Sequence, residues 1–200
     1  MTHEVADEAL LARYVDGDLE AFGVLLGRYE KPVFRFVVRY LRDHQLAEDV
    51  HQEVFVRVIR GAATFKRAQK FGPWLFRIAR NLCIDTIRRE GYRKAVSLSA
   101  PVGGSAHDPA SATLGDTVEG GAQRPDAAAE ALDTAAALQR ALDELPDDQR
   151  ELVLLKEISG LTFKEAAVVL GVPESTLKSR MQVALESLRK SMNRRRMAAG

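Results

Sequence analysis

The residues with the clearest chemical implication lie towards the C-terminus, between Leu161 and Arg180. Thr162 and Glu165 have the spacing of a capping box, in which each side chain satisfies a backbone N–H at a helix start. Gly171 stands where a tight turn needs a residue that tolerates positive φ, and Pro173 suits the first turn of a second helix. The pattern predicts a helix-turn-helix, a motif whose second helix enters the major groove of duplex DNA.

The second helix of this motif divides into an apolar stripe and a polar face. The apolar stripe, assigned to the core, is Leu177, Met181, Ala184 and Leu188. The polar face carries hydroxyls, an amide and a lysine, namely Ser175, Thr176, Lys178, Ser179 and Gln182. Such groups suit base edges and phosphates, and the basic run Arg194–Arg196 favours DNA binding over an ordinary surface helix.

A second candidate nucleic-acid surface lies on a helix expected over residues 72–91. Its packing side is Leu75, Ile78, Ala79, Leu82 and Thr86, and its other side is Trp74, Arg77, Asn81, Ile84 and Arg88. Arg80, Arg89 and the preceding run Phe65, Lys66, Arg67, Ala68, Gln69 and Lys70 add an aromatic ring and cations. Aromatic faces stack on bases and cations follow the backbone, which indicates single-stranded nucleic acid. Trp74 and Phe65 would suit a core position equally well.

The helix expected over residues 46–61 has a different chemistry. Ala47, Val50, Val54 and Val58 face inward, while Asp49, Gln52 and Glu53 form a polar patch at helical spacing. An acidic patch beside a basic domain is unsuited to DNA. It is either a protein-binding surface or an ordinary solvated face.

The remaining reactive side chains form no catalytic or metal-binding pattern. His3, His44, His51 and His107 are scattered, and the single cysteine, Cys83, is expected to be a small buried hydrophobe. With no nucleophile–base pair and no phosphate-binding loop, we expect a binding protein without cofactor or metal, not an enzyme.

The charge of the chain alternates in blocks. The net charge is −5 over residues 1–30, +9 over 31–94, −8 over 95–148 and +5 over 149–200, within a total of +1. Two basic blocks around an acidic one suggest two polyanion-binding modules. No apolar run approaches the roughly 20 residues of a membrane helix, and the acidic N-terminus is unlike a signal peptide. We therefore expect a cytoplasmic protein without a membrane partner.

Apolar spacing predicts an all-α fold of two small helical domains. Helices are expected over about 5–15, 18–42, 46–61 and 72–91, with Asp18 as an N-cap and Gly61 as a C-cap, and again from about 126. Residues 95–128 are rich in Gly, Ala, Ser, Pro and Asp, which favours a flexible acidic linker. The predicted domains are thus 1–94 and 129–193, with a basic tail at 194–200.

Three segments in order resemble the sigma-70 family of bacterial RNA polymerase sigma factors. Residues 45–58, QLAEDVHQEVFVRV, resemble the core-polymerase-binding helix of sigma region 2. Residues 71–89, FGPWLFRIARNLCIDTIRR, resemble its promoter-melting and −10-reading helix. Residues 145–151, LPDDQRE, with the helix-turn-helix, resemble sigma region 4. No further helical domain separates the two regions, which is typical of the extracytoplasmic-function (ECF) group.

The resemblance implies a role for each surface. Asp49, Gln52 and Glu53 would face the coiled coil of the largest subunit of core RNA polymerase. Phe65, residues 66–70 and Asn81 would hold a base flipped out of the −10 non-template strand. Lys156 would touch a phosphate near the −35 element, which Lys178, Ser179 and Gln182 would read. Contacts with the second-largest subunit and control by an anti-sigma factor are also implied.

The resemblance has one departure and two competing functions. Family members commonly carry arginine where this chain has Val183, and often an aromatic or basic residue at Gln182, so the −35 preference does not transfer. A plain helix-turn-helix regulator gives no reason for the Trp74–Arg89 helix. A sigma mimic that sequesters an anti-sigma factor needs no strand-capturing basic face.

Overall fold

The computed structural model describes residues 5–66, 68–99 and 136–198, and every regular element in these ranges is a helix. The helices are α1 Asp7–Val15, α2 Leu19–Leu41, α3 His44–Gly61, α4 Phe71–Ser99, α5 over 136–143, α6 Asp147–Val153, α7 Phe163–Leu170 and α8 Glu174–Ala198. A 3-10 turn, Ala62–Thr64, follows α3, and a π-helical turn, Leu154–Ile158, follows α6. The predicted all-α fold is confirmed.

Side chains next to the helix starts explain where α2 and α3 begin. The Asp18 carboxylate accepts a hydrogen bond from the Ala21 N–H at 3.1 Å, so the predicted N-cap is confirmed. Asp43 does the same for α3 through the Leu46 N–H at 3.0 Å. Each cap satisfies one of the donors that a helix start leaves without an intrahelical partner.

Two helix ends differ from the sequence expectation. Gly61 has φ −89°, so it is the last residue of α3, and the chain tightens into the 3-10 turn without a left-handed glycine cap. α4 runs to Ser99, past the expected end at 91, because the residues at 93–95 are good helix formers and one internal glycine costs only about 1 kcal/mol. The helix thus enters the range expected to be linker, and residues 100–128 of that range lie outside the described residues.

The described chain divides into two compact units, and the first contains residues 5–99 and 154–174. In it α2, α3 and α4 pack together around a core of Leu25, Val33, Phe36, Val37, Ala47, Val50, Val54, Val58, Leu75, Phe76, Ala79, Leu82 and Cys83. The apolar faces predicted for α3 and the burial of Cys83 are confirmed. The core places one side of α3 and one side of α4 in solvent.

Polar contacts tie α1 to this bundle. Arg28 and Tyr29 of α2 both donate hydrogen bonds to the Asp7 carboxylate, each at 2.5 Å. Burial and the Asp7 hydrogen bond raise the pKa of the Tyr29 phenol above its ordinary value, so it remains a neutral donor. Glu8 accepts from the Phe71 N–H at 3.0 Å and so satisfies a donor at the start of α4.

The second unit contains residues 136–153 and 175–198. Its buried side chains are Ala141, Leu142, Leu145, Leu152, Val153, Leu177, Met181, Ala184, Leu188 and Ser191, with Arg150 and Glu151. The core stripe predicted for α8 is therefore confirmed. Arg180 pairs with Asp148 at 3.3 Å and Arg194 with Glu144 at 3.1 Å, which links α8 to the residues around α5 and α6.

Candidate nucleic-acid and protein interfaces

One face of α4 is buried and the opposite face is basic and exposed. Leu75, Ala79, Leu82 and Thr86 are buried, and Ile78 is half-buried, so the predicted packing face is confirmed. Arg77, Asn81 and Arg88 are exposed on the other side, while Arg80 and Ile84 are half-buried. The arrangement leaves two guanidinium groups and a carboxamide available to a ligand along one stripe of the helix.

Aromatic rings cluster where α4 begins. The Trp74 ring lies 5.0 Å from the Phe65 ring in an edge-to-face arrangement, and 5.9 Å from the Phe71 ring, measured between centroids. Trp74 and Phe65 are half-buried, whereas Phe71 is fully buried. The sequence left open whether Trp74 and Phe65 are core residues or exposed rings that stack on bases. As half-buried residues, they lie between these two alternatives. Sequence reasoning missed Phe71 as the ring that anchors the cluster, although its position beside Trp74 was a usable signal.

The segment between the 3-10 turn and α4 carries two described cations. Lys66 and Lys70 are exposed, and the Gln69 N–H donates to the Lys66 carbonyl at 2.8 Å. Arg67 lies outside the described residues. Phe65 precedes this loop and Trp74 follows it, so the aromatic cluster holds both of its ends.

The polar patch on α3 is in solvent. Asp49 and Gln52 are exposed, and Glu53 is half-buried and pairs with Arg57 at 3.0 Å. Asp49, Glu53 and Arg57 line a groove of about 340 Å³ with Arg89 and Arg93 of α4. Sequence reasoning missed Arg57, whose i, i+4 spacing from Glu53 was the available signal. The groove at this patch is thus lined by side chains of both signs of charge.

Lys156 lies in the π-helical turn, and its ammonium group makes two contacts within the protein. Its Nζ donates to the Leu161 carbonyl at 2.8 Å and lies 4.8 Å from the centroid of the Phe163 ring. The ammonium group therefore closes the turn before α7 through a hydrogen bond and a cation–π contact. A phosphate contact for this residue remains a prediction.

The predicted capping box is present at the start of α7. Thr162 Oγ1 accepts from the Glu165 N–H at 3.2 Å, and the Glu165 carboxylate accepts from the Thr162 N–H at 2.9 Å. Gly171 has φ 68°, the left-handed conformation expected of it, and α8 begins at Glu174. The order of helix, left-handed turn and helix therefore matches the predicted motif.

The first turns of α8 place the predicted polar face in solvent. Ser175, Lys178, Ser179 and Gln182 are exposed and Thr176 is half-buried. Ser179 Oγ donates to the Thr176 carbonyl at 2.9 Å, which fixes one hydroxyl on its own helix. Val183 is 51% exposed on the same helix, so an apolar side chain stands in solvent beside the candidate reading face.

Residues 5–66, 68–99 and 136–198 contain neither a membrane-spanning helix nor a cluster of metal ligands. Neither α2, α4 nor any other described helix is long and apolar enough to cross a membrane. In the same residues, no group of three or more His, Cys, Asp or Glu side chains could hold a metal ion.

Comparison with known proteins identifies the class of protein. The family model for Sigma-70 region 2 matches residues 25–93, and the model for Sigma-70 region 4 matches residues 135–188. These ranges contain the α3 patch and α4 face in one case, and α7 and most of α8 in the other. The two regions define a sigma-70-type transcription initiation factor, a class of protein that is not an enzyme.

The chain belongs to the family of ECF RNA polymerase sigma factors, as the resemblance implied. It is 31% identical over 176 residues to the ECF RNA polymerase sigma factor SigW of Bacillus subtilis, covering 88% of this chain and 91% of SigW. It is also 33% identical over 178 residues to SigM of Mycobacterium tuberculosis, covering 89% of this chain and 80% of SigM.

A solved structure shows the same fold. The sigma factor RpoE of Bartonella quintana, in complex with the anti-sigma factor NepR, superposes with a TM-score of 0.64. The match has 24% identity and covers 86% of this chain and 96% of that protein.

Proposed function

We propose that this protein directs core RNA polymerase to a specific set of promoters, by binding the polymerase and reading −10 and −35 elements. The observation that carries the proposal is the exposed face of α4, where Arg77, Asn81 and Arg88 lie opposite a buried stripe. Cations and an amide on a rigid helix can follow a strand and recognise one base edge. A protein that bound only duplex DNA through α8 would have no use for that face.

Capture of the −10 strand would combine α4 with the loop before it. Lys66 and Lys70 are exposed cations beside the aromatic cluster, and Arg77 and Arg88 extend the positive charge along the helix. We assign phosphate contacts to these side chains and to Arg67 and Arg80. Asn81 would contact the edge of a flipped base, for which a carboxamide offers both a donor and an acceptor.

Recognition of the −35 element would use the first two turns of α8. Ser175, Lys178 and Gln182 are exposed on the side opposite the buried Leu177 and Met181. A lysine and an amide can contact guanine and adenine edges in the major groove, and hydroxyls can contact either base or phosphate. Thr176 and Ser179 complete this set, and Lys156 would contact a flanking phosphate.

The α3 patch of Asp49, Gln52 and Glu53 is the proposed contact with the largest subunit of core polymerase. The α4 residues that line the groove of this patch are Arg89 and Arg93, whereas Arg77, Asn81 and Arg88 are exposed opposite the buried stripe of α4. One molecule can therefore bind polymerase and DNA together. A further contact with the second-largest subunit, and action in the cytoplasm where promoters are, follow from the same role.

Regulation by an anti-sigma factor is part of the proposal. The Bartonella quintana relative forms a complex with its anti-sigma factor NepR, and its fold is shared here. If cells lacking every candidate anti-sigma factor showed unchanged transcription of the target promoters, this part of the proposal would be wrong.

The deciding experiment is transcription in vitro with purified core polymerase on a randomised promoter library, followed by sequencing of the transcribed templates. We expect a two-part motif with a fixed spacer. Core polymerase alone is the matched control. Binding to duplex DNA without transcription would instead support a plain helix-turn-helix regulator. Binding of an anti-sigma factor, with neither transcription nor DNA binding, would support a sigma mimic.

A further inference from the structure

Gly61 lies beneath the indole of Trp74, where α3 passes into the 3-10 turn. A Cβ atom at position 61 would stand 3.0 Å from Trp74 Cζ2 and 3.5 Å from Trp74 Cη2. Carbon atoms in ordinary contact are about 3.5–4.0 Å apart, so a methyl group here would require the indole to shift by a few tenths of an ångström. The present position of the Trp74 ring therefore matches the absence of a side chain at Gly61.

The backbone conformation gives no other reason for glycine at this position. Gly61 has φ −89°, within the right-handed helical region that any residue adopts. Alanine would be the better helix former at the end of α3. The close approach of the Trp74 ring thus accounts for glycine at position 61.

The displaced ring would move the loop that carries the proposed strand contacts. The Trp74 ring packs edge-to-face on the ring of Phe65, which directly precedes Lys66. Separately, the backbone N–H of Trp74 donates to the Lys70 carbonyl at 3.3 Å. The Thr64 hydroxyl donates to the Gly61 carbonyl at 2.9 Å and holds the 3-10 turn against the same residue. The Gly61–Trp74 contact is therefore connected to Lys66 through the Phe65 ring and to Lys70 through the backbone of Trp74.

We propose that Gly61 is a positioning residue for promoter melting, because it leaves room for the Trp74 indole, which in turn holds Phe65 and the neighbouring Lys66 and Lys70 where they capture the unpaired strand. In this arrangement Trp74 acts chiefly by supporting the loop and not by stacking on a base. The inference rests on the proposed function and adds to it a residue that acts through Trp74.

The first test compares two glycine-to-alanine substitutions in helices. Gly61→Ala introduces the clash, and Gly23→Ala in α2 is the matched control, because a Cβ at Gly23 meets nothing within 4 Å. The template is a promoter that the wild-type protein transcribes in the library experiment. We expect Gly61→Ala to form open complexes roughly tenfold less well. A 1 Å misplacement of contacting groups can cost about 100-fold, and the shift expected here is smaller. Affinity for core polymerase should stay within about twofold, and Gly23→Ala should match wild type in both assays.

The second test asks whether the loss passes through Trp74. Trp74→Phe removes the benzo ring that would meet the new methyl group. We expect Trp74→Phe alone to lose open complexes about as strongly as Gly61→Ala, and the double variant to be no worse than Trp74→Phe. Should Gly61→Ala fail to fold, the comparison of Trp74→Phe with the double variant still decides the matter, since the double variant should fold.

Tryptophan fluorescence reports on the seat directly, because Trp74 is the single tryptophan of the chain. We expect the emission maximum to shift to longer wavelength in Gly61→Ala and to stay unchanged in Gly23→Ala. Wild-type open-complex formation and emission in Gly61→Ala would overturn the inference, as would an additional tenfold loss in the double variant. If the wild-type protein itself transcribes no template, the proposed function fails first, so the two failures are distinguishable.

Discussion

Replacement of Asn81 by alanine is the sharpest test of how α4 contacts the melted promoter. Asn81 is exposed in the middle of the helix, and its side chain has no hydrogen bond to any other described residue. Alanine is a better helix former by about 0.5 kcal/mol, so the free energy of unfolding should stay constant or rise slightly. A lost carboxamide contact with a base edge costs about 1–3 kcal/mol, which corresponds to about 5- to 150-fold.

The assay separates strand capture from polymerase binding. Open complexes are measured by permanganate oxidation of unpaired thymines, and the affinity for core polymerase is measured by competition with labelled wild-type protein. We expect the first to fall within that range and the second to remain unchanged. Asp85→Asn is a control of opposite sign, because it removes a negative charge one helical turn from Asn81 and should strengthen strand capture slightly. Equal losses in both assays for Asn81→Ala, or no loss in either, would refute the assigned role.

Three further substitutions test other parts of the molecule. Asp49→Arg should weaken binding to core polymerase by about 10- to 100-fold and leave the melting temperature unchanged, since the side chain is exposed; competition binding and calorimetry measure the two. Thr162→Ala should lower the free energy of unfolding by about 1 kcal/mol in urea titrations, while Thr162→Ser, which keeps the capping oxygen, should not. Tyr29→Phe should cost about 1 kcal/mol at pH 7 by removing the hydrogen bond to Asp7. The pKa of Tyr29 is raised in the folded state, so the wild-type protein should lose stability above about pH 10, where tyrosine in the unfolded chain releases its proton. The Tyr29→Phe variant should lose less stability over the same pH range. Parallel pH profiles of the two proteins in urea titrations would contradict this prediction.

Features encoded by neighbouring residues were predictable from the sequence. The Asp18 cap, the Thr162–Glu165 capping box and the left-handed Gly171 each depend on hydrogen bonds or dihedral angles within a few residues. The buried stripes of α3, α4 and α8 follow from helical periodicity, which is present within each continuous segment of the sequence. The family could likewise be predicted from the sequence, because each of its three motifs is a continuous segment.

Features that depend on how helices pack were decided only by the tertiary structure. Periodicity placed Trp74 on the exposed face of α4, but it could not reveal that α3 ends against the indole, so Gly61 was interpreted as a cap. The contacts of Asp7 with Arg28 and Tyr29 join residues more than 20 positions apart, and no local pattern announces them. Such contacts depend on the separation and angle between helices, which are set by the whole core; the local pattern fixes only which face each helix turns towards it.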